Sequence, residues 1–292
     1  MQENFSMYPY LEYEGWEFPR LSPLMSKGLK EYFTDIRNYD TRKGDVIICT
    51  TMKSGSHWIH EIVSMLLNQT TEYNTCGPFW ELNFENMSQP DKVEQIAGTR
   101  VFHTHLPFSF LPKKHIDNGY KIVYLNRNPK DRFVSHKCFM DGKLGFPAFT
   151  WKEYFETFVI NDKLYTGWFN YTKEMTEAVK NKSANIFPVT FEDLILNPST
   201  QNRKLAAFLE VPHPDKFIEE VIEKCSFKNL KENKLNCSAV LDPNKRQTLF
   251  RKGVIGDWKN WFTVSQNEQF DALYREQMKD VDVDFIYEYP SN

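Results

Sequence analysis

The stretch Thr50-Thr51-Met52-Lys53-Ser54-Gly55-Ser56-His57-Trp58 concentrates the groups that an oxyanion needs. Gly55 lets the backbone approach a ligand, and the N–H groups that follow point out of a helix start towards an anion. Lys53 adds a mobile positive charge, and Ser54 and Ser56 add hydroxyl donors. The set suits a phosphate or phosphosulfate group. An ATP-type GxxxxGK[ST] loop is absent, because the Lys precedes the Gly and no glycine lies upstream within the turn. Taken alone, the KSGS string fits an ordinary loop equally well.

The elements around this turn carry a consistent pattern. Val46-Ile47-Ile48-Cys49-Thr50 is a short apolar run after Lys43-Gly44-Asp45, which predicts a buried strand. Trp58, Ile59, Ile62, Val63, Leu66 and Leu67 recur at helical spacing. The turn thus joins a strand to a helix. Further strands are expected at Arg100–His105, at Lys121–Leu125 and, more weakly, at Asn185–Phe191, where Pro188 argues for an edge. Helical patterns cover about Trp151–Val179, Gln201–Glu210 and Phe217–Lys224. This alternation predicts an α/β fold: a central parallel β-sheet flanked by helices, with a P-loop-like strand-turn-helix and ligands at the carboxyl ends of the strands.

Composition narrows the function classes. The 292 residues include 41% hydrophobic and 15% aromatic side chains, enough for a large core and an aromatic-lined pocket. A formal net charge of −3 provides no global basic field for nucleic acid, so any bound anion must meet a local positive cluster. Five cysteines without a CxxC pair argue against a disulfide framework or a zinc site. No apolar run reaches membrane-spanning length and the first residues do not form a secretory signal, so a cytoplasmic protein is expected. With no linker or repeat, one domain is expected over 1–292, its core at about 40–270.

Three more segments give the turn its context. Arg127-Asn128-Pro129-Lys130-Asp131 continues to Val134-Ser135; Phe102-His103-Thr104-His105-Leu106-Pro107 precedes it; and Arg251-Lys252-Gly253-Val254-Ile255-Gly256-Asp257-Trp258-Lys259-Asn260 lies near the C-terminus. In this order the four segments resemble the cytosolic sulfotransferase family, from about Gly15 to the end. The resemblance implies the donor 3′-phosphoadenosine 5′-phosphosulfate (PAPS), the product PAP, and no metal. It implies that Lys53, Ser54, Gly55, Ser56, His57 and Trp58 surround the phosphosulfate and adenine. Arg127 and Ser135, with Arg251, Lys252 and Gly253, would hold the 3′-phosphate. Phe191, Cys225 and Phe227 would complete the nucleotide pocket. His105 matches the family's catalytic base and Lys53 would stabilise the leaving phosphate, with in-line transfer between donor and acceptor. His103 and His105, with Phe79, Phe84 and Phe139, are candidates to line an acceptor pocket for a phenol, steroid, other lipophilic alcohol or amine. Lys259, Thr263, Val264 and Glu268 match the family's short dimerisation segment, which implies a homodimer.

The chain also departs from the family pattern. Its turn begins Thr51-Met52 in place of Tyr-Pro, His57 stands for the last Thr of KSGTT, and His103 for the Lys of KTHLP. Phe191 replaces a Tyr and Cys225 a Thr. Loss of the KTHLP lysine removes a permanent positive charge, which His103 supplies only when protonated. Slow turnover, or a rate that rises toward acidic pH, is therefore expected. These departures leave open a low-activity PAPS- or PAP-binding protein of the same fold. A P-loop kinase is the remote alternative, without an acidic metal-binding signature beside a strand.

Overall fold

The computed structural model describes residues 10–19, 27–73, 93–96, 98–141, 148–162, 167–234 and 250–290. A hairpin of β1 (Tyr10–Tyr13) and β2 (Trp16–Pro19) precedes α1 (Leu29–Arg37). β3 (Val46–Thr50) leads into α2 (Ser56–Asn68), then β4 (Val101–Thr104), the short α3 (Lys113–Asp117), β5 (Lys121–Asn126) and α4 (Pro129–Met140). After α5 (Trp151–Tyr154) and α6 (Trp168–Lys180) come β6 (Ile186–Thr190), α7 (Phe191–Leu196), α8 (Pro198–Leu209), α9 (Asp215–Lys224), α10 (Phe227–Asn233) and α11 (Val264–Met278).

β3 to β6 form a parallel sheet in the order β4-β3-β5-β6. β3 is buried at every position, as a central parallel strand must be. Its side chains alternate between two cores. Val46 and Ile48 pack with Ile59, Ile62 and Leu66 of α2, and Ile47 and Cys49 with Tyr171 and Met175 of α6. Helices therefore cover both faces. Pro188 lies on β6, the last strand in that order, where a missing N–H breaks no ladder.

The helix expected across Trp151–Val179 is instead divided. α5 runs into a π-turn over Phe155–Val159, and Asp162 takes a left-handed φ of 41°. The Asp162 carboxylate then accepts the N–H groups of Trp168 and Phe169 at 2.8 and 2.7 Å, which starts α6 afresh. A Cβ at residue 167 would stand 2.3 Å from the Asp162 carbonyl oxygen, so this reversal requires Gly167.

The hairpin, absent from the sequence-based expectation, buttresses the segment after β4. Phe18, Phe33, Leu106 and Phe110 form one cluster. Arg37 donates to both Glu14 carboxylate oxygens and to the Ser109 carbonyl. Among the described residues no helix is long and apolar enough to cross a membrane.

Candidate active site

All four parallel strands end on a polar residue: Thr50, Thr104, Asn126 and Thr190. The next residues in the chain, Thr51, His105, Arg127 and Phe191, therefore meet at one edge of the sheet, where α/β folds place ligands. β3 has β4 on one side and β5 on the other, which opens a crevice at its carboxyl end.

The turn after β3 is held open by unusual backbone. Lys53 has φ 68° and Gly55 φ 110°, and left-handed backbone is costly for a lysine. A Cβ on Gly55 would lie 3.1 Å from Phe191 and 3.4 Å from Leu125. Gly55 precedes α2 without a side-chain cap, so its first N–H groups serve an anion well. Two arginines fasten the turn from outside. Arg127 Nη1 donates to the Lys53 carbonyl at 3.3 Å, and Arg132 Nε to the Met52 carbonyl at 3.0 Å. The Lys53 ammonium sits 4.4 Å from the centre of the Phe139 ring.

A second set of positive groups lies beyond Arg127. Its guanidinium stacks on Phe191 at 4.1 Å and donates to the Val254 carbonyl at 3.3 Å. Phe191 also meets Trp58 edge-on at 5.1 Å. Arg251 and Lys252 both donate to Asp257, at 2.6 and 2.5 Å. Burial alone would raise the Asp257 carboxyl, but the bonds from Lys252, Asn260 and Arg251 bring it down to about 2. Asp131 ties the two motifs together: its carboxylate accepts the Gly256 N–H at 2.7 Å and the Trp258 N–H at 2.8 Å. Asn128 bonds Asp131, the Glu192 carboxyl and the Ile286 carbonyl. Burial pushes the Glu192 carboxyl up to about 7, against the pull of Arg127. Phe227 caps this region, since a Cβ on Gly253 would stand 2.1 Å from its ring. Two buried guanidinium N–H groups, Arg127 Nε and Arg251 Nε, find no acceptor among the described residues. They fit a phosphate oxyanion, whose oxygens accept several such donors.

His105 is oriented by β3. Its Nδ1 lies 2.7 Å from the Thr50 carbonyl, which can only accept, so Nδ1 carries the proton and Nε2 the lone pair. Burial lowers this imidazole to about 4; the Thr50 bond opposes that shift, and the charges of Arg132 and Lys53 add to it. At neutral pH it is a free base. His103 Nε2 stands 3.4 Å from His105 Nε2, with the rings perpendicular. His103 is 2% exposed and held well below the usual imidazole range by burial and by His105, His57 and His60. Burial thus opposes its protonation, and with it the acid-side gain in rate expected from the sequence. His57 is lowered to about 3 by burial and then by Lys53 and its histidine neighbours.

The structure gathers Lys53, Ser54, Gly55, Ser56, His57, Trp58, His103, His105, Arg127, Phe139, Phe191, Arg251, Lys252, Gly253 and Phe227 around this edge. Ser135 is half-buried on α4. Cys225 is buried in the core, its thiol donating to the Met65 sulfur at 3.7 Å. Phe79 and Phe84 lie outside the described residues. Asp131, Arg132, Glu192 and Asp257 were not among the residues singled out in the sequence. Asp131 and Asp257 stand inside the recognised strings, whereas nothing in local spacing marks Arg132 or Glu192. Among the described residues, no group of three His, Cys, Asp or Glu side chains could hold a metal ion.

This geometry has counterparts in known proteins. Residues 43–282 match the sulfotransferase domain, and the chain belongs to that family of enzymes. It is 35% identical to sulfotransferase 1B1 of Canis lupus familiaris over 86% of this chain and 89% of that protein. It is 32% identical to sulfotransferase 1C2 of Homo sapiens, covering 91% and 93% of the two chains. The crystal structure of mouse sulfotransferase SULT7A1 complexed with PAP superimposes with a TM-score of 0.75, covering 94% of this chain and 96% of that one at 26% identity.

Proposed function

We propose that this sulfotransferase moves the sulfuryl group of PAPS to a hydroxyl or amine of a small lipophilic acceptor. The observation that carries the reading is the His105 Nδ1–Thr50 carbonyl bond, which aims the Nε2 lone pair away from β3. In this reading the acceptor oxygen attacks sulfur as its proton passes to His105 Nε2. The bond between sulfur and the bridging phosphate oxygen breaks, and Lys53 meets the charge left on that oxygen. The unfilled Nε donors of Arg127 and Arg251 support a 3′-phosphate site with Lys252, Gly253 and Ser135. Trp58, Phe191 and Phe227 supply faces for an adenine ring. The mouse enzyme solved with PAP supports the same donor.

The 3.4 Å approach of His103 to the base favours a second reading, a PAPS- or PAP-binding protein with little transfer. Transfer of labelled sulfate from PAPS to a panel of phenols, steroids, alcohols and amines separates the two. Turnover on at least one acceptor supports the first reading, and PAP binding without any turnover overturns it.

The same reading places one domain in the cytoplasm as a homodimer through Lys259, Thr263, Val264 and Glu268. Val264 supports this: it is 77% exposed at the first turn of α11, which Thr263 caps with Gln266. Sedimentation should show a dimer that Val264→Glu converts to monomer, and a wild-type monomer at micromolar concentration contradicts it.

A further inference from the structure

Arg132 stands on α4, one residue past Asp131, and is 1% exposed. A guanidinium carries five N–H donors and keeps its proton in proteins. Among the described residues, its hydrogen bond is the one from Nε to the Met52 carbonyl, and its Cζ lies 4.9 Å from the Phe133 ring centre. No described carboxylate forms an ion pair with it; Asp162 acts on it only through its longer-range field, as does Tyr154. Burying a permanent charge in this way costs several kcal/mol unless an anion completes the site.

The neighbours place this guanidinium beside the anion-binding turn. Met52 directly precedes Lys53 in the anion-binding turn. The Arg132 charge is felt by His105, beyond the end of β4, and by His136 on α4 itself. Lys53 from the turn faces the same imidazoles, with His57 of α2 and His103 of β4 adding no charge at neutral pH. Lys53 and Arg132, the latter bonded to the residue before Lys53, thus both bear on the base from the turn.

We propose that Arg132 supplies the fixed positive charge for the transferring sulfuryl group, the part left open where His103 replaces the lysine of the KTHLP pattern. The inference rests on the sulfuryl-transfer reading above. A preorganised guanidinium attracts negative charge developing on the sulfuryl oxygens without reorganising. A buried neutral His103 cannot do so.

The test compares kcat, PAP affinity and pH profile in Arg132→Gln, Arg132→Lys and the double variant Arg132→Gln/His103→Lys, with PAPS and one acceptor that the wild type turns over. Arg132→Gln should lose roughly 10²–10³ in kcat, a larger factor than the PAP affinity it loses when the bond to the Met52 carbonyl goes. Its acid limb should move to higher pH, because His105 no longer faces the guanidinium. Adding His103→Lys should recover at least about tenfold, the scale of one restored charge contact. Unchanged kcat in Arg132→Gln, or a loss that follows PAP affinity and resists rescue, overturns the proposal. Should Arg132→Gln not fold, Arg132→Lys decides. A buried lysine can lose its proton whereas arginine cannot, so kcat in that variant should fall at alkaline pH where the wild type holds. A profile that matches the wild type overturns the proposal. A wild-type chain that transfers nothing from PAPS overturns the underlying reading as well, a result distinct from an active wild type with an indifferent Arg132.

Discussion

The two ends of the cleft hold positive charge in opposite ways. At the nucleotide end, Arg251 and Lys252 are already bonded to Asp257, and Asp131 fixes the backbone beside them. Around His105, Lys53 and Arg132 stand among imidazoles that burial keeps neutral, and no carboxylate pairs with Arg132 among the described residues. Paired charges cost little to hold and give fixed geometry, which suits tight recognition of a nucleotide. Cations beside neutral imidazoles keep their field for charge that appears during reaction. Under the proposed function, the first arrangement serves affinity and the second turnover.

Acid separates the two ends most strongly. A histidine held below its unfolded value of about 6.5 binds fewer protons folded than unfolded, so its contribution is complete above that value and is lost as pH falls. At the transfer end, His105 is lowered to about 4 and His57 to about 3. Each should contribute a stability loss on the order of a few kcal/mol between pH 6.5 and 4. Asp257, lowered to about 2 from an ordinary value of 3.8, keeps its contribution until pH falls below that ordinary value and loses it towards 2. Thermal melts from pH 7 to 4 check the first window, and a flat melting temperature would contradict it.

A smaller effect is expected at the nucleotide end. Asp131→Asn leaves the Gly256 and Trp258 N–H groups with a neutral acceptor that can satisfy only part of their need. Charge-assisted bonds of this kind contribute roughly 1.5–3 kcal/mol each, and part of that loss should weaken PAP by about tenfold. The variant's kcat at saturating PAPS should change less than its affinity. Calorimetry with PAP reads the first and initial rates the second; an unchanged PAP affinity would remove Asp131 from this role.

Legibility in the sequence followed the same division. The strand, turn and helix around Lys53 are local, and the alternating cores of β3 follow from an unbroken apolar run. Arg127, Arg251 and Lys252 were visible because their motifs are contiguous strings. What the strings hid were partnerships at a distance: Asp131 reaches across 125 and 127 positions to Gly256 and Trp258. The break at Asp162 was hidden by continuous helical periodicity, because one carboxylate's bonds to Trp168 and Phe169 decide it. His103 read as a switchable charge until its burial was known. Nothing in the sequence marked Arg132, which lies on a helix buried along nearly its whole length.

The central claim is that His105 acts as the base for transfer from PAPS. Single-turnover transfer of labelled sulfate by wild type and His105→Ala, with PAP affinity measured on both, tests it directly. A loss on the order of 10²–10⁴ in rate with PAP affinity unchanged is the predicted result. Transfer by His105→Ala at the wild-type rate would contradict it.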